Sequence, residues 1–302
     1  MANSVGDFEY YAYNPSMAAA VIFIIVFFLS TLTHVFLMVR KRTWYFAPFI
    51  IGCLSPVESV GYIGRALAAN EAPDFTTTPY IIQALLILLG PTLMAASVYM
   101  VLGRLVVILN GEKHTLIKPK WITKIFVAGD VMSFLAQGAG GGMLSSAKKE
   151  SDVTRGNNVI IAGLVIQILF FGFFVVVTAL FHRRIVASPT RRSLEINAPW
   201  CGLLIALYIG SVMILVRSVY RVAEYAQGSG GVLQSKEYWL YILDSVPMII
   251  TTIVFIVFHP SRVVNKEALG FKPQDSVDLE STGEYSSTQG LNDQSYPLGS
   301  NM

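Results

Sequence analysis

Cysteine is almost missing: Cys53 and Cys201 are the only two in the 302 residues, both inside apolar stretches, so no disulfide framework organises the chain. Charge is scarce as well. Asp, Glu, Lys and Arg make up 14% of the residues, against roughly 25% in an ordinary soluble domain. N-glycosylation acceptors are lacking, because Asn14 is followed by Pro15. No glycine-rich segment leads into the Lys-Ser or Lys-Thr of a phosphate-binding loop, which argues against ATP hydrolysis. No period of 20 to 50 residues recurs, so a repeat architecture is not indicated.

What the chain has is long apolar runs. Hydrophobic residues account for 54% of it and the mean hydropathy is +0.57, the composition of an integral membrane protein. Seven stretches reach the roughly 20 residues needed to cross a hydrocarbon core: 17–39, 44–68, 79–109, 121–142, 157–182, 199–223 and 238–259. The expectation is an all-α, polytopic, seven-helix transmembrane domain over 17–262, preceded by an extracellular segment 1–16 and followed by a cytoplasmic tail 263–302. Basic loops remain cytoplasmic. Fourteen Lys and Arg fall on one side, in the loops around Arg40–Arg42, Lys113–Lys124, Arg183–Arg192 and Arg262–Lys272, against Lys148, Lys149, Arg155 and Lys236 on the other. The amino terminus is therefore expected outside and the carboxyl terminus inside. Asp7 and Glu9 stand where a cleavable signal would be basic, so the first span reads as a signal anchor. From Pro273 onward there is no Lys or Arg, and Ser, Gly, Gln and Asn dominate, the composition of a disordered tail. Cytoplasmic regulators that read that tail are one expected class of partner, alongside the lipid bilayer itself. No nucleic-acid partner and no cofactor is expected.

Ionisable residues inside the spans are costly and mark function by default. They fall on helical stripes: Glu58, Tyr62 and Arg65; Asp130, Ser133 and Gln137; Arg217, Arg221 and Glu224; Glu237, Tyr241 and Asp244. Counting from Trp44, Trp121 and Trp200 as inner-interface markers, a 1.5 Å rise puts Glu58 about 21 Å, Asp130 about 14 Å, Gln137 about 24 Å and Arg217 about 26 Å up their helices. Asp244 falls about 9 Å below an outer boundary at Tyr238. The four stripes are expected to face one another around an outward polar cavity, with five carboxylates against three guanidiniums. The plainer alternative is interhelical ion pairs and hydrogen bonds that hold the bundle, at about 1 kcal/mol each. Pro56, Pro91 and Pro247 fall near mid-membrane and mark helix kinks or breaks. Gln137-Gly138-Ala139-Gly140-Gly141-Gly142 allows either close helix packing or an irregular backbone. His34, His182 and His259 share the cytoplasmic level, where they are either weak metal or porphyrin-iron ligands or ordinary interface anchors. No second His or Cys stands at i+3 or i+4, so the expectation is no metal site.

The motifs resemble a known family. Tyr13-Asn14-Pro15-Ser16, Glu58-Ser59-Val60-Gly61-Tyr62-Ile63-Gly64-Arg65, Pro91-Thr92-Leu93-Met94-Ala95-Ala96-Ser97-Val98-Tyr99 with Leu102-Gly103-Arg104, Asp130 with Ser133, Gln137 and Gly140-Gly141, Arg217 with Tyr220-Arg221 and Glu224, and Glu237 with Tyr241, Asp244 and Pro247-Met248 together resemble the fungal RTA-like lipid-translocating exporters. The likeness covers residues 10 to about 262. It implies a fungal seven-helix protein of the plasma membrane, with vacuolar or other endomembranes as alternatives. Export of sphingoid long-chain bases, resistance to toxic sterol analogues and drugs, and in one branch porphyrin handling are what such members do. Glu58, Arg65, Asp130, Gln137, Arg217, Arg221, Glu224 and Asp244 are the family's motif positions. The expected function is translocation of lipids or amphiphiles, a protonated amine suiting the surplus of carboxylates, with Glu58, Asp130 or Asp244 as proton carriers and no enzymatic activity. A seven-helix receptor or sensor of lipid asymmetry, signalling through the tail, is the alternative. Its characteristic motifs are missing, since span three ends Leu102-Gly103-Arg104 and span seven Val257-Phe258-His259-Pro260. A zinc-dependent membrane hydrolase is disfavoured by histidines at the opposite end from most of the acids.

Overall fold

Ser16 begins the first helix by accepting a hydrogen bond on Oγ from the Ala19 amide, which satisfies one of the orphan donors of the first turn. The chain then stays helical until Arg42, whose left-handed φ of 53° closes the end beneath Arg40 and Lys41, cations suited to a helix C-terminus. The computed structural model describes residues 16–53, 58–71, 77–146, 149–196, 198–227 and 231–264. All belong to Met1–Asn265, the first of two units of the chain. Of the described residues 89% are helical, and none is in a strand.

The helices are α1 (Met17–Lys41), α2 (Ala47–Cys53), α3 (Glu58–Glu71), α4 (Thr77–Ile108), α5 (Pro119–Ser145), α6 (Glu150–Ala187), α7 (Arg191–Glu195), α8 (Trp200–Gln227), α9 (Val232–Ser235), α10 (Glu237–Leu240) and α11 (Val246–Val257). A π-helical turn, Tyr241–Ser245, joins α10 to α11. Among the described residues, Met17–Lys41, Leu89–Ile108, Ser151–Ala187, Trp200–Gln227 and Glu237–Arg262 are long and apolar enough to cross a membrane. Expected spans two and four are outside this set. Of span two, the described residues form a 3-10 turn (Trp44–Phe46), α2 and α3; residues 54–57, Pro56 among them, lie outside the described residues. Span four is one helix of 27 residues, α5, whose apolar character is diluted by Asp130, Gln137 and five glycines.

Large apolar side chains point outward along the spans, as with Ile22, Leu29 and Phe36 on α1 or Leu135 on α5, while Arg65, Arg217 and Asp244 are buried. This distribution suits hydrocarbon as the surrounding solvent. Successive helices pack as neighbours, most closely α5 on α6. The glycine run explains that contact and does not form an irregular segment. A Cβ on Gly140 would stand 2.7 Å from the Gly156 carbonyl oxygen, and one on Gly163 would stand 2.9 Å from that of Ser133. Gly138, Gly141 and Gly142 face open space.

Candidate functional site

Arg65 of α3 points at the start of the last span. Its Nη2 donates to Glu237 Oε1 at 2.8 Å and its Nε to the Tyr241 hydroxyl at 3.1 Å. Tyr241 in turn donates to Glu237 at 3.1 Å, and the Ser16 amide completes the carboxylate's shell at 3.0 Å. One turn away, the hydroxyls of Tyr62 and Ser245 are hydrogen-bonded. Phe23 of α1 stacks on Tyr241 at 4.6 Å and on Tyr62 at 5.7 Å. Three helices thus meet through one ion pair and a layer of rings, each ring burying a large apolar face while the two tyrosine hydroxyls find partners.

Asp244 is the centre of a second group. Arg221 grips it with two parallel hydrogen bonds, Nε to Oδ1 at 3.1 Å and Nη2 to Oδ2 at 2.7 Å, the bidentate arrangement that suits guanidinium to carboxylate. Arg221 also donates to Glu224 at 3.0 Å. Arg217 Nε lies 2.7 Å from Asp244 Oδ1, an ion pair by distance at an angle short of a hydrogen bond. Its Nη2 donates to the carbonyl oxygen of Ile87 at 2.5 Å.

Ile87 stands four residues before Pro91, and proline has no N–H to give to the carbonyl one turn behind it. Arg217 supplies the missing donor. The same guanidinium contacts Asp244, which lies in the π-helical turn ahead of Pro247, where a wide turn absorbs the second proline. The two described in-span prolines are therefore linked through one side chain. Replacing Arg217 by Gln is expected to destabilise the detergent-purified protein by about 1–3 kcal/mol for the unsatisfied carbonyl alone, read as a lower thermal unfolding midpoint. Adding Pro91→Ala, which restores an N–H aimed at Ile87, should recover part of that loss. An equal effect of Pro91→Ala with Arg217 intact would refute this link.

The described members of these two groups are three guanidiniums and three carboxylates: Arg65, Arg217 and Arg221 with Glu237, Asp244 and Glu224. The expected acidic surplus rested on Glu58 and Asp130. Glu58 opens α3, and its side chain lies outside the described residues. Asp130 is in a separate place. The stripes of α3, α8 and the last span interlock, but that of α5 turns to α4 and α6. Tyr99 donates to Asp130 Oδ2 at 2.8 Å. Ser133 donates to the Gly163 carbonyl at 2.7 Å, and Gln137 to Ser133 at 2.7 Å and to Gln167 at 3.1 Å.

Of the histidines, His34 and His259 come together, ring centroids 6.5 Å apart, and His34 Nε2 is 3.2 Å from the Thr252 carbonyl oxygen. His182 is elsewhere, beside the Tyr208 hydroxyl at 3.3 Å. Among the described residues no group of three or more His, Cys, Asp or Glu could hold a metal ion. Sequence reasoning missed Ile87, Ser245, Ser16 and Gln167 as partners. Two signals were present: Pro91 implicates the carbonyl four residues earlier, and Gln167 is the one amide in an otherwise apolar stretch of α6.

A helical bundle with apolar exterior and charged residues paired across helices in its interior defines an integral membrane protein with a buried ionic network. The chain belongs to the RTA1 like protein family, whose model matches residues 49–267. It is 35% identical over 295 residues to Protoporphyrin uptake protein 1 of Saccharomyces cerevisiae, covering 85% of this chain and 94% of that one. It is 34% identical over 309 residues to Protein RTA1 of the same organism, covering 91% and 95%. Similarity extends at 24% identity over 278 residues to Sphingoid long-chain base transporter RSB1 of Saccharomyces cerevisiae, covering 82% of this chain and 72% of that one. No solved structure matches.

Proposed function

We propose that this protein translocates amphiphilic lipids, sphingoid long-chain bases foremost, across a fungal plasma membrane, as a carrier and not an enzyme. In this reading seven spans cross the bilayer, α2 with α3 forming the second and α5 the fourth, with the amino terminus outside and a regulatory tail in the cytoplasm. The relatives named for sphingoid base transport and for protoporphyrin uptake both handle molecules with a charged group on an apolar body.

The observation that carries the reading is the coincidence of the ionic network with the two described in-span prolines, Pro91 and Pro247. Here the carbonyl released by Pro91 and the turn before Pro247 are held by Arg217 and Asp244, contacts that a headgroup or water can replace as the bundle rearranges. A helix carbonyl freed by proline and met by a charged side chain is polar backbone of the kind that lines transport sites.

The test is movement of a fluorescent sphingoid base, a labelled phospholipid and protoporphyrin in proteoliposomes of the purified protein. Faster flux of the sphingoid base than in protein-free vesicles is expected, reduced by Glu58→Gln or Glu224→Gln in variants that purify folded. If none of the three moves in a well-inserted preparation, translocation is wrong and a sensor signalling through the tail takes its place.

A further inference from the structure

We propose that Asp130 is the site of an exchangeable monovalent cation, either a proton or the primary ammonium of a long-chain amine, and that the arginine network is not. The proposal rests on the translocation reading for its cargo but not for its geometry.

Asp130 is 3% exposed. Its Oδ2 accepts from Tyr99, and among the described residues its Oδ1 has no hydrogen-bond partner. A buried carboxylate must be neutralised or paired, because removing its charge from water without compensation is prohibitive. Fixed cations near it are already engaged elsewhere or distant. On α4, which contributes Tyr99, Arg104 lies over the Tyr45 ring at 4.3 Å. On α5 itself, Lys124 stands six residues earlier over the Trp121 ring at 5.4 Å. On α6, the other helix packed against α5, the sequence has no ionisable residue between Arg155 and His182. Glu237, Asp244 and Glu224 differ, because each is already paired with arginine.

The surroundings are asymmetric along the membrane normal. One turn before Asp130 on α5 is Phe126, and Tyr99 is ringed by Phe126 at 5.3 Å, Phe171 at 5.7 Å and Phe174 at 4.7 Å. This aromatic layer lies on the side of the inner-interface Trp121. On the other side the α5 stripe continues as Ser133 and Gln137, hydrogen-bonded to each other and, with Gln167, across to α6. In the proposed orientation the carboxyl thus has apolar rings on its cytoplasmic side and donors and acceptors on its outer side, the arrangement of a cation site reached from outside.

Difference infrared spectroscopy of the detergent-purified full chain reads this carboxyl directly. One arm titrates pH without amine, and the other adds sphinganine at fixed pH, with its uncharged N-acetyl derivative as control. A protonated-carboxyl band that follows pH, is lost in Asp130→Asn and is shifted in Tyr99→Phe identifies a proton. Conversion of that band to carboxylate by sphinganine, but not by the N-acetyl derivative, identifies the ammonium as the exchanging cation. If neither pH nor sphinganine produces a signal sensitive to Asp130→Asn, or to Tyr99→Phe should the first variant not fold, the site is refuted. This readout needs no net flux, so a positive spectrum with silent proteoliposomes would refute translocation and leave the site standing.

Discussion

Asp244→Asn is expected to be the most damaging single exchange in the ionic network, lowering stability by about 3–5 kcal/mol, the usual cost of breaking a buried pair by removing one partner. The reason is that one carboxylate serves two cations. Asp244 is 1% exposed and Arg217 2%, and Arg221 reaches it through two hydrogen bonds. Asparagine keeps the shape but leaves Arg217 with no anion among its described contacts and Arg221 with Glu224 alone. Glu224→Gln should cost far less, about 1 kcal/mol, because Arg221 retains its bidentate grip and Glu224 lies toward the end of α8. Thermal unfolding of detergent-solubilised variants, followed by the loss of the monodisperse peak, measures both. In the double variant Arg217→Gln/Asp244→Asn the losses should fall short of additive by about 1–3 kcal/mol. Equal destabilisation by Asp244→Asn and Glu224→Gln would mean that Asp244 is not the hub.

Gly140→Val is the counterpart on the other side of the bundle, with an expected loss of about 3 kcal/mol from overpacking. Its new Cβ would fall 2.6 Å from Ile160 Cγ1, 2.7 Å from the Gly156 carbonyl oxygen and 2.9 Å from the Ile160 amide nitrogen. Two of the three obstacles are backbone, so α5 and α6 must separate. The Ser133 bond to the Gly163 carbonyl, 2.7 Å long, would stretch with them, and Gly163 has no spare room at 2.9 Å from the Ser133 carbonyl oxygen. Gly141→Ala one residue on meets nothing within 4 Å and should be neutral or stabilising by up to about 1 kcal/mol, since alanine is the better helix former. The same unfolding assay ranks them, and a Gly140→Val protein as stable as Gly141→Ala would refute the close packing of α5 and α6.

Much of the helical architecture was legible because hydrocarbon imposes a simple rule: every backbone polar group must be satisfied within its own segment, so long apolar runs become helices. Observed bounds exceed the apolar runs where polar turns continue the helix, as at Glu150–Ala187 against the expected 157–182. The stripes were legible as well, since helical spacing alone puts Glu237, Tyr241 and Asp244 on one side. Which stripe faces which was not. Asp130 and Asp244 look alike as buried acids in apolar sequence, yet one is held by two arginines and the other by a phenol. Composition could not foresee that the glycine run serves α6 through Gly140 while Gly141 and Gly142 face open space.

The sequence by itself determined the membrane class, the helical periodicity and the ionisable residues that the interior would have to neutralise, because these follow from local patterns and from the cost of burying charge. Only the tertiary structure decided the partners. A guanidinium can satisfy a carboxylate on one helix and a carbonyl released by proline on another, and that choice is made by helix packing, which brings Ile87, Arg217 and Asp244 together from positions 130 and 27 residues apart in the chain.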